Sequence, residues 1–132
     1  GPDGSGKTTL CRRLAALARG AGLAVCEVRD PGGTEIGEKI RAVLLDRAHA
    51  SMDARCEMLL FMASRAQLAH ERIAPAVARG ELVIADRFVA SALVYQGLAG
   101  GLPERDIEAA AGLAIGPLRP DVYVVLDADD AT

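Results

Sequence analysis

The sequence predicts an α/β fold of three layers, in which a parallel β-sheet is flanked by helices on both faces. Two observations lead to this prediction. Strand-like apolar runs alternate with helical patterns along the chain, and a glycine-rich turn leads directly into the first helix. No repeat, charge run or low-complexity linker divides the 132 residues, so we expect a single domain over 1–132.

The first half of the chain alternates helix and strand. Helical spacing of apolar residues predicts a helix over 7–19, and residues 23–28 predict a buried strand. A Pro-Gly-Gly turn follows, after which Thr34 can cap a helix over 35–45. A long helical pattern then covers 52–78, and Pro75 predicts a break or kink within it.

The second half continues the alternation. The apolar run 82–85 predicts a strand buried on both faces, followed by a shorter helix to about residue 95 and a glycine-rich loop over 97–102. Pro103 suits the first turn of a helix that ends near residue 115, and residues 121–126 are strand-like again. Ligands of parallel sheets bind at the carboxyl ends of the strands, which favours four polar residues there: Arg29, Asp86, Arg87 and Asp127.

The composition is that of a globular domain. Apolar residues make up 51% and charged residues 25%, and the formal net charge is −3. This balance provides no strong basic field for a nucleic-acid backbone, and no apolar run is long enough to span a bilayer. The three cysteines form neither a CxxC pair nor a metal-binding pattern. We therefore expect a cytoplasmic protein without nucleic-acid or membrane partners.

Residues 1–8 match the phosphate-binding pattern GxxxxGK[ST] in full. The glycines let backbone N–H groups turn around phosphate oxygens, and the helix opening at Lys7 adds the positive end of its dipole. We expect Lys7 to reach the β- and γ-phosphates of ATP, and the Thr8 hydroxyl to bind Mg²⁺. The predicted cofactor-binding set is Gly1, Pro2, Asp3, Gly4, Ser5, Gly6, Lys7, Thr8 and Thr9.

This loop predicts a P-loop NTPase fold, and two of its features carry further expectations. A phosphate-binding loop follows a strand, yet no residue precedes Gly1, so we expect a fragment that lacks its first strand. Asp3 places a carboxylate in a loop built for anions, which is unfavourable unless it meets a hydroxyl or a cation. A sugar hydroxyl or a metal-bound water would satisfy it; a solvated loop residue is the alternative.

Candidate acceptor-binding residues lie elsewhere in the chain. Asp86 can contact the Mg²⁺ shell and Arg87 can bridge transferred phosphates, although a salt bridge at the strand end also fits. Phe61 and Arg65, four apart on one helix face, can stack on a planar base and donate to its carbonyl. By spacing alone, a core phenylalanine and a surface arginine are favoured. Arg41 can bind a phosphate or remain solvated.

Four further segments resemble the thymidylate kinase family. Residues 86–97, DRFVASALVYQG, are similar to its DR[YF]xxSxxAYQG signature, and residues 29–34, RDPGGT, to its REPGGT turn. Residues 60–65, LFMASR, resemble its LFxAxR helix, and RPD at 119–121 with LD at 126–127 resembles its RPD…LD strand. The order and separations agree across the whole chain.

The resemblance implies ATP-dependent phosphorylation of dTMP to dTDP for dTTP biosynthesis, with Mg²⁺, in a homodimer. It implies catalytic roles for Lys7, Asp86 and Arg87, and metal contacts from Thr8 and Asp86. The implied dTMP-binding residues are Asp3, Arg41, Phe61, Arg65, Arg87, Ser91, Tyr95 and Gln96.

Individual roles within that set follow from the same resemblance. Phe61 stacks on thymine, Arg65 donates to a base oxygen, and Asp3 takes the deoxyribose 3′-hydroxyl. The monophosphate is held by Arg41 and Arg87, with Arg29 as a further candidate. Tyr95 packs where a ribose 2′-hydroxyl would project.

The sequence departs from the family pattern at a few places. Asp30 replaces a glutamate, Val94 an alanine, and Ala92 a residue that is polar in many relatives, which puts one base contact in doubt. The family's arginine-bearing lid and adenine-binding segment come after the position of Thr132, so the resemblance implies a fold incomplete at both ends and, because Gly4 is no arginine, a transition-state arginine in that lid. The fragment alone is expected to catalyse poorly.

Two other functions remain open from the sequence. Another P-loop kinase, for a different nucleotide or a small alcohol, would share the loop but not the Phe61 and Arg65 pair. A P-loop ATPase or GTPase would need a hydrolytic glutamate or a base-reading NKxD-like element. Here Asp86 is followed by arginine instead.

Overall fold

Two parallel strands form the centre of the structure, a computed structural model that describes residues 3–127. Strand β1 (Val25–Arg29) pairs with strand β2 (Leu82–Asp86), and the register places Val25 opposite Leu82 and Arg29 opposite Asp86. Both strands therefore end at the same edge of the sheet. The polar residues that follow them are brought together there, as the sequence predicts.

Helices cover both faces of this strand pair. Those in the described chain are α1 (Lys7–Gly20), α2 (Glu35–Leu45), α3 (Ala54–Leu68), α4 (Ala74–Ala78), α5 (Val89–Ala92) and α6 (Glu104–Ile115), with a 3₁₀ turn at Arg47–His49. Cys26 and Val28 of β1 pack into a core with Leu68 and Ile115, whereas Glu27, which points to the opposite face, binds Arg19 of α1. The predicted α/β fold is confirmed.

A second apolar cluster lies between the helices on one side of the sheet. Met58 and Met62 of α3 pack there with Ala92 of α5 and with Ile107 and Ala111 of α6. This cluster fixes α3 against α5 and α6. The face of α3 that carries the predicted base-binding residues is therefore held in place by packing.

The first two helices match the sequence prediction closely. Helix α1 begins at Lys7 as predicted, and α2 covers Glu35–Leu45, the predicted range. The Thr34 hydroxyl accepts the backbone N–H of Gly37 at 2.9 Å, so Thr34 is the N-cap of α2. Strand β1 is half-buried rather than buried throughout, because its burial alternates along the strand.

The predicted effect of Pro75 takes the form of a π-helical segment. Helix α3 continues through Ala69–Ile73, which is π-helical, into α4, where Pro75 lies in the first turn. A proline cannot donate its backbone N–H and crowds the preceding turn. The wider π-helical turn before Pro75 accommodates the proline without interrupting the helix.

Three predictions about the second half are wrong. Strand β2 is not buried on both faces: Leu82 is 43% exposed, because β1 is the one strand that pairs with it in the described chain. The helix predicted to end near residue 95 continues as the π-helical segment Leu93–Ala99, through Gly97. Residues 121–126 form no strand within the described range, and Val122 and Val125 are 75% and 76% exposed. Apolar, β-branched residues form a strand only where a neighbouring strand supplies hydrogen bonds.

A membrane-spanning helix must be both long and apolar. Within residues 3–127, no helix is both long and apolar enough to cross a membrane.

Candidate active site

An open cleft of about 640 Å³ lies where the glycine loop meets the carboxyl ends of β1 and β2. Most of the residues predicted to bind ATP or phosphate line it: Asp3, Gly4, Gly6, Lys7, Thr8, Thr9, Arg41, Asp86 and Arg87. Ser5 lies in the same loop. Gly1 and Pro2 are outside the described residues. The cleft is thus the meeting point of segments that are more than 80 residues apart in sequence, such as those of Asp3 and Arg87.

The glycine loop has the backbone of an anion-binding loop. Gly4 and Gly6 have φ angles of 80° and 86°, in the left-handed region that a residue with a Cβ rarely adopts. Helix α1 starts directly after Gly6, and no side chain in the described chain caps it. Its first backbone N–H groups are therefore available to an anion. The Lys7 ammonium lies 3.5 Å from the Ser5 hydroxyl, within the same loop.

Thr8 and Asp86 join the loop to the end of β2. The Thr8 hydroxyl donates to the Asp86 carboxylate, with 2.5 Å between the oxygens. Hydroxyl and carboxylate oxygens are the hard ligands that Mg²⁺ prefers, and Mg²⁺ commonly uses one or two protein ligands together with substrate phosphates. In the described part of the chain there is no cluster of three or more His, Cys, Asp or Glu side chains suited to a metal. The Thr8 and Asp86 pair fits the Mg²⁺ that the sequence predicts.

Arg87 is held in an unusual backbone conformation at the end of β2. Its φ angle is 69°, which costs a non-glycine residue about 1–3 kcal/mol. Its guanidinium forms a salt bridge with the Asp3 carboxylate, lies 5.4 Å from the centre of the Tyr95 ring and donates to the Tyr95 hydroxyl at 3.4 Å. The conformation directs a cation across the cleft toward the glycine loop. Tyr95 itself is half-exposed beneath it.

Two further arginines lie beside the turn after β1, Arg29 at the end of β1 and Arg41 on α2. Arg41 of α2 donates to the Pro31 carbonyl at 3.1 Å and lines the cleft. Arg29 donates to both carboxylate oxygens of Glu38 at 2.8 Å, and Glu38 also accepts the Gly33 backbone N–H. The hydrogen bond from Arg29, followed by that from Gly33, lowers the pKa of Glu38. Glu38 therefore holds the turn in shape, a role that the sequence analysis missed.

Arg65 is a buried residue, contrary to the surface arginine that spacing favoured. Its Nε and Nη2 both lie 2.6 Å from Oδ2 of Asp30, and both side chains are at most 2% exposed. The remaining nitrogen, Nη1, is 3.1 Å from the Met62 sulfur, and the guanidinium lies 5.7 Å from the centre of the Phe88 ring. Asp30 fixes the arginine in one orientation.

Asp30 itself is a site residue that the sequence analysis did not assign. It lines the cleft, and its second oxygen, Oδ1, is buried without a hydrogen-bond partner among the described residues. Burial raises the pKa of Asp30, and the Arg65 guanidinium opposes that rise. Its position directly after β1 is the sequence feature that identifies it as a candidate, since site residues are expected at the carboxyl end of a parallel strand.

The other predicted substrate residues, Tyr95 among them, are not part of the lining of the cleft. Phe61 of α3 is half-buried, and Gln96 is buried with its amide nitrogen 2.9 Å from Glu57. Ser91 is half-buried and donates its backbone N–H to Phe88. None of Phe61, Arg65, Ser91 and Gln96 lines the cleft formed by the described residues, and Asp30 connects Arg65 to it.

Comparison with known proteins places these segments in a family context. The thymidylate kinase family model matches residues 1–132. A thymidylate kinase of Lactobacillus delbrueckii subsp. bulgaricus is 44% identical over 132 residues, covering 99% of this chain, which spans 62% of that relative's length. A crystal structure of thymidylate kinase from Ehrlichia chaffeensis superimposes with a TM-score of 0.89 at 35% identity, covering 98% of this chain and 69% of that one.

Proposed function

This chain belongs to the thymidylate kinase family, and we propose that the protein carrying it transfers the γ-phosphoryl group of ATP to dTMP, giving dTDP and ADP. One observation carries the proposal. The glycine loop with Lys7 and Thr8 faces Arg41 and Arg87 across a single cleft, so a phosphate donor and a phosphate acceptor can meet there. The name of the relatives supplies the identity of the acceptor.

The donor phosphates bind at the glycine loop. The open N–H groups at the start of α1 and the Lys7 ammonium offset the charge of the β- and γ-phosphates. Thr8 and Asp86 would hold Mg²⁺, which would offset the negative charge of the donor phosphates. Thr8 lies on α1 and Asp86 at the end of β2, and the hydrogen bond between their side chains joins these two elements.

The acceptor dTMP binds on the opposite side of the cleft. Arg41 and Arg87 hold its phosphate, and Asp3 accepts the deoxyribose 3′-hydroxyl once Arg87 turns from Asp3 to the phosphate. The thymine stacks on Phe61, and Arg65, held by Asp30, offers Nη1 to a base oxygen. Tyr95 packs beside the sugar, while Ser91 and Gln96 complete the base side. Ala92 is buried in the second apolar cluster, between α3, α5 and α6, and offers no polar contact.

Phosphoryl transfer then requires little covalent help from the protein. An oxygen of the dTMP phosphate attacks the γ-phosphorus of ATP as the bond to the bridging β–γ oxygen breaks, and ADP leaves with that oxygen. Lys7 and Arg87 offset the charge on the group in transfer, and the fixed positions of both nucleotides supply the proximity. Lys7, Asp86 and Arg87 are therefore the proposed catalytic residues.

The cellular location, the pathway and the oligomeric state of the protein are part of the same proposal. We place the protein in the cytoplasm, in dTTP biosynthesis, as a homodimer of chains that fold as one domain over 1–132. The exposed apolar Leu59 on α3 and Leu113 on α6, 58% and 90% exposed, support a helical contact face. The net charge of −3 provides no support for a nucleic-acid partner.

The test uses the full-length protein with ATP, Mg²⁺ and a panel of acceptors. We expect strong phosphorylation of dTMP, weaker phosphorylation of dUMP and little of UMP, because Tyr95 packs where a 2′-hydroxyl projects. Lys7→Met should remove activity toward all acceptors, which controls for a contaminating kinase. If AMP or a non-nucleotide alcohol is the best acceptor, or if ATP is hydrolysed equally fast without any acceptor, the proposal is wrong.

A further inference from the structure

A buried glutamine beside the proposed base site has a fixed partner. Gln96, which is 4% exposed, lies in the π-helical segment Leu93–Ala99, and its amide nitrogen donates to Oε1 of Glu57 at 2.9 Å. Glu57 lies in the first turn of α3, 39 residues away in sequence. Two separate elements therefore meet through these side chains.

The chemistry of this contact determines which way the Gln96 amide faces. An ionised carboxylate accepts hydrogen bonds and donates none, whereas an amide has an NH₂ end that donates and an oxygen end that accepts. The NH₂ end must therefore face Glu57, and the oxygen end faces away. Without such a partner, a half-turn of the amide would exchange its donor and acceptor at little cost.

The contact lies one helical turn from the proposed base-stacking ring. Glu57, Phe61 and Arg65 are spaced four residues apart on α3, so they form one stripe along its surface. Arg65 at one end of the stripe is held by Asp30, and Gln96 at the other end is held by Glu57. The aromatic ring between them is thus flanked by two polar groups, and an acidic side chain fixes the orientation of each.

We propose that Glu57 is a positioning residue for base selection: it holds the Gln96 amide so that its oxygen accepts the N3–H of a thymine ring. This inference rests on the proposed function, because it assumes that the base stacks on Phe61. Thymine carries a hydrogen at N3, whereas cytosine has a lone pair there. An amide oxygen fixed toward the base accepts a hydrogen bond from the N3–H of thymine and repels the N3 lone pair of cytosine. Glu57 therefore favours dTMP over dCMP.

Glu57→Gln in the full-length protein tests the proposal. A glutamine at position 57 can either accept from or donate to Gln96, so the Gln96 amide can turn and present its NH₂ to cytosine. We expect the ratio of kcat/KM for dTMP to that for dCMP to fall about 10-fold, which corresponds to about 1.4 kcal/mol. The change should come mainly from KM, because the residue acts on binding of the base.

A matched control is present on the continuation of the same helix. The Gln67 amide donates to Glu71 on the exposed surface, which is the same pairing without a base site. Glu71→Gln should leave the dTMP to dCMP ratio unchanged. An unchanged ratio in Glu57→Gln, or an equal loss of activity toward both nucleotides, would mean that Glu57 has only a structural role.

A second variant keeps the test informative if Glu57→Gln folds poorly. Gln96→Ala should lower the same ratio, and Glu57→Gln added to Gln96→Ala should lower it no further, because the residue that Glu57 positions is already absent. Independent, additive effects of the two changes would overturn the proposal. If the unaltered protein does not phosphorylate dTMP, the proposed function fails first, before any variant is compared.

Discussion

At the residue scale, the buried pair of Asp30 and Arg65 distinguishes this site from what spacing alone suggests. The spacing of Phe61 and Arg65 predicts that they share one face of a helix, but spacing alone does not show that Arg65 is buried. That depends on Asp30, which is 35 residues away and is brought near by the packing of α3 against the turn after β1. Removing two charged groups from water costs much of the free energy that their attraction supplies. The main effect of the Asp30 and Arg65 pair is therefore to fix the orientation of the Arg65 guanidinium, and its net contribution to stability is small.

Asp30→Ala is expected to lower the free energy of unfolding by about 3–5 kcal/mol, because it leaves the Arg65 guanidinium buried without its counter-charge. Replacing both residues, by Asp30→Leu with Arg65→Met, should cost less than Asp30→Ala alone. Urea denaturation measures both. Lys39→Ala, at a pair whose side chains are 74% and 85% exposed, serves as a control and should change stability by at most about 0.5 kcal/mol. A double variant less stable than Asp30→Ala would contradict this account.

At the scale of elements, local patterns predicted what local chemistry determines. The bounds of α2 followed from the Thr34 cap and the Pro-Gly-Gly turn, both of which act within a few residues. The errors occur where a distant partner decides the outcome. Residues 121–126 have the composition of a strand but no strand beside them in the described range, and the helix through Gly97 is stabilised by packing of that segment on α6.

The turn between β1 and α2 also makes the stability of the folded protein depend on pH in the acidic range. The folded-state pKa of Glu38 lies below its unfolded value of about 4.3, first because Arg29 donates to it. Its stabilising effect is therefore complete above that unfolded value and is lost as the pH falls through the folded pKa. The stability difference between the native protein and Glu38→Gln should shrink between about pH 5 and pH 3.

Thermal denaturation across that pH range provides the measurement. Because Glu38 and Arg29 are 44% and 54% exposed, the difference at neutral pH should be at most about 1 kcal/mol and should decrease in high salt. Glu35→Gln is the matched control on the same helix, since Glu35 pairs with the exposed Lys39. Parallel pH curves for the native protein and Glu38→Gln would show that Glu38 does not act through its charge.

At the scale of the whole molecule, the parallel register of β1 and β2 assembles the cleft. The register aligns Arg29 with Asp86, which places the turn that carries Asp30 next to Arg87. The glycine loop forms the remaining side of the cleft. This arrangement could be predicted from the sequence, because it follows from the general rule for parallel sheets. The acidic partners that orient Arg65 and Gln96 could not, since no local pattern pairs residues 35 or 39 positions apart.

Arg87→Ala separates the role of this assembly in folding from its role in binding. The Arg87 salt bridge with Asp3 links the end of β2 to the glycine loop, but Asp3 is 79% exposed, so the link should add little to stability. Alanine also carries a Cβ, so the unfavourable φ at position 87 remains. We expect the melting temperature without ligand to change by only a few degrees, while the stabilisation by dTMP is largely lost.

Differential scanning calorimetry with and without dTMP makes the comparison. In the native full-length protein, dTMP at 100 times its Kd should add about 2.7 kcal/mol of stability, and at the same concentration Arg87→Ala should show only a small part of that increase. Arg119→Ala is the control, since within residues 3–127 Arg119 donates only to the backbone carbonyls of Gly116 and Leu118, and this variant should keep the full response to dTMP. The opposite result, a large loss of stability without ligand and an undiminished response to dTMP, would make Arg87 a structural link between strand and loop and would assign the acceptor phosphate to Arg41 instead.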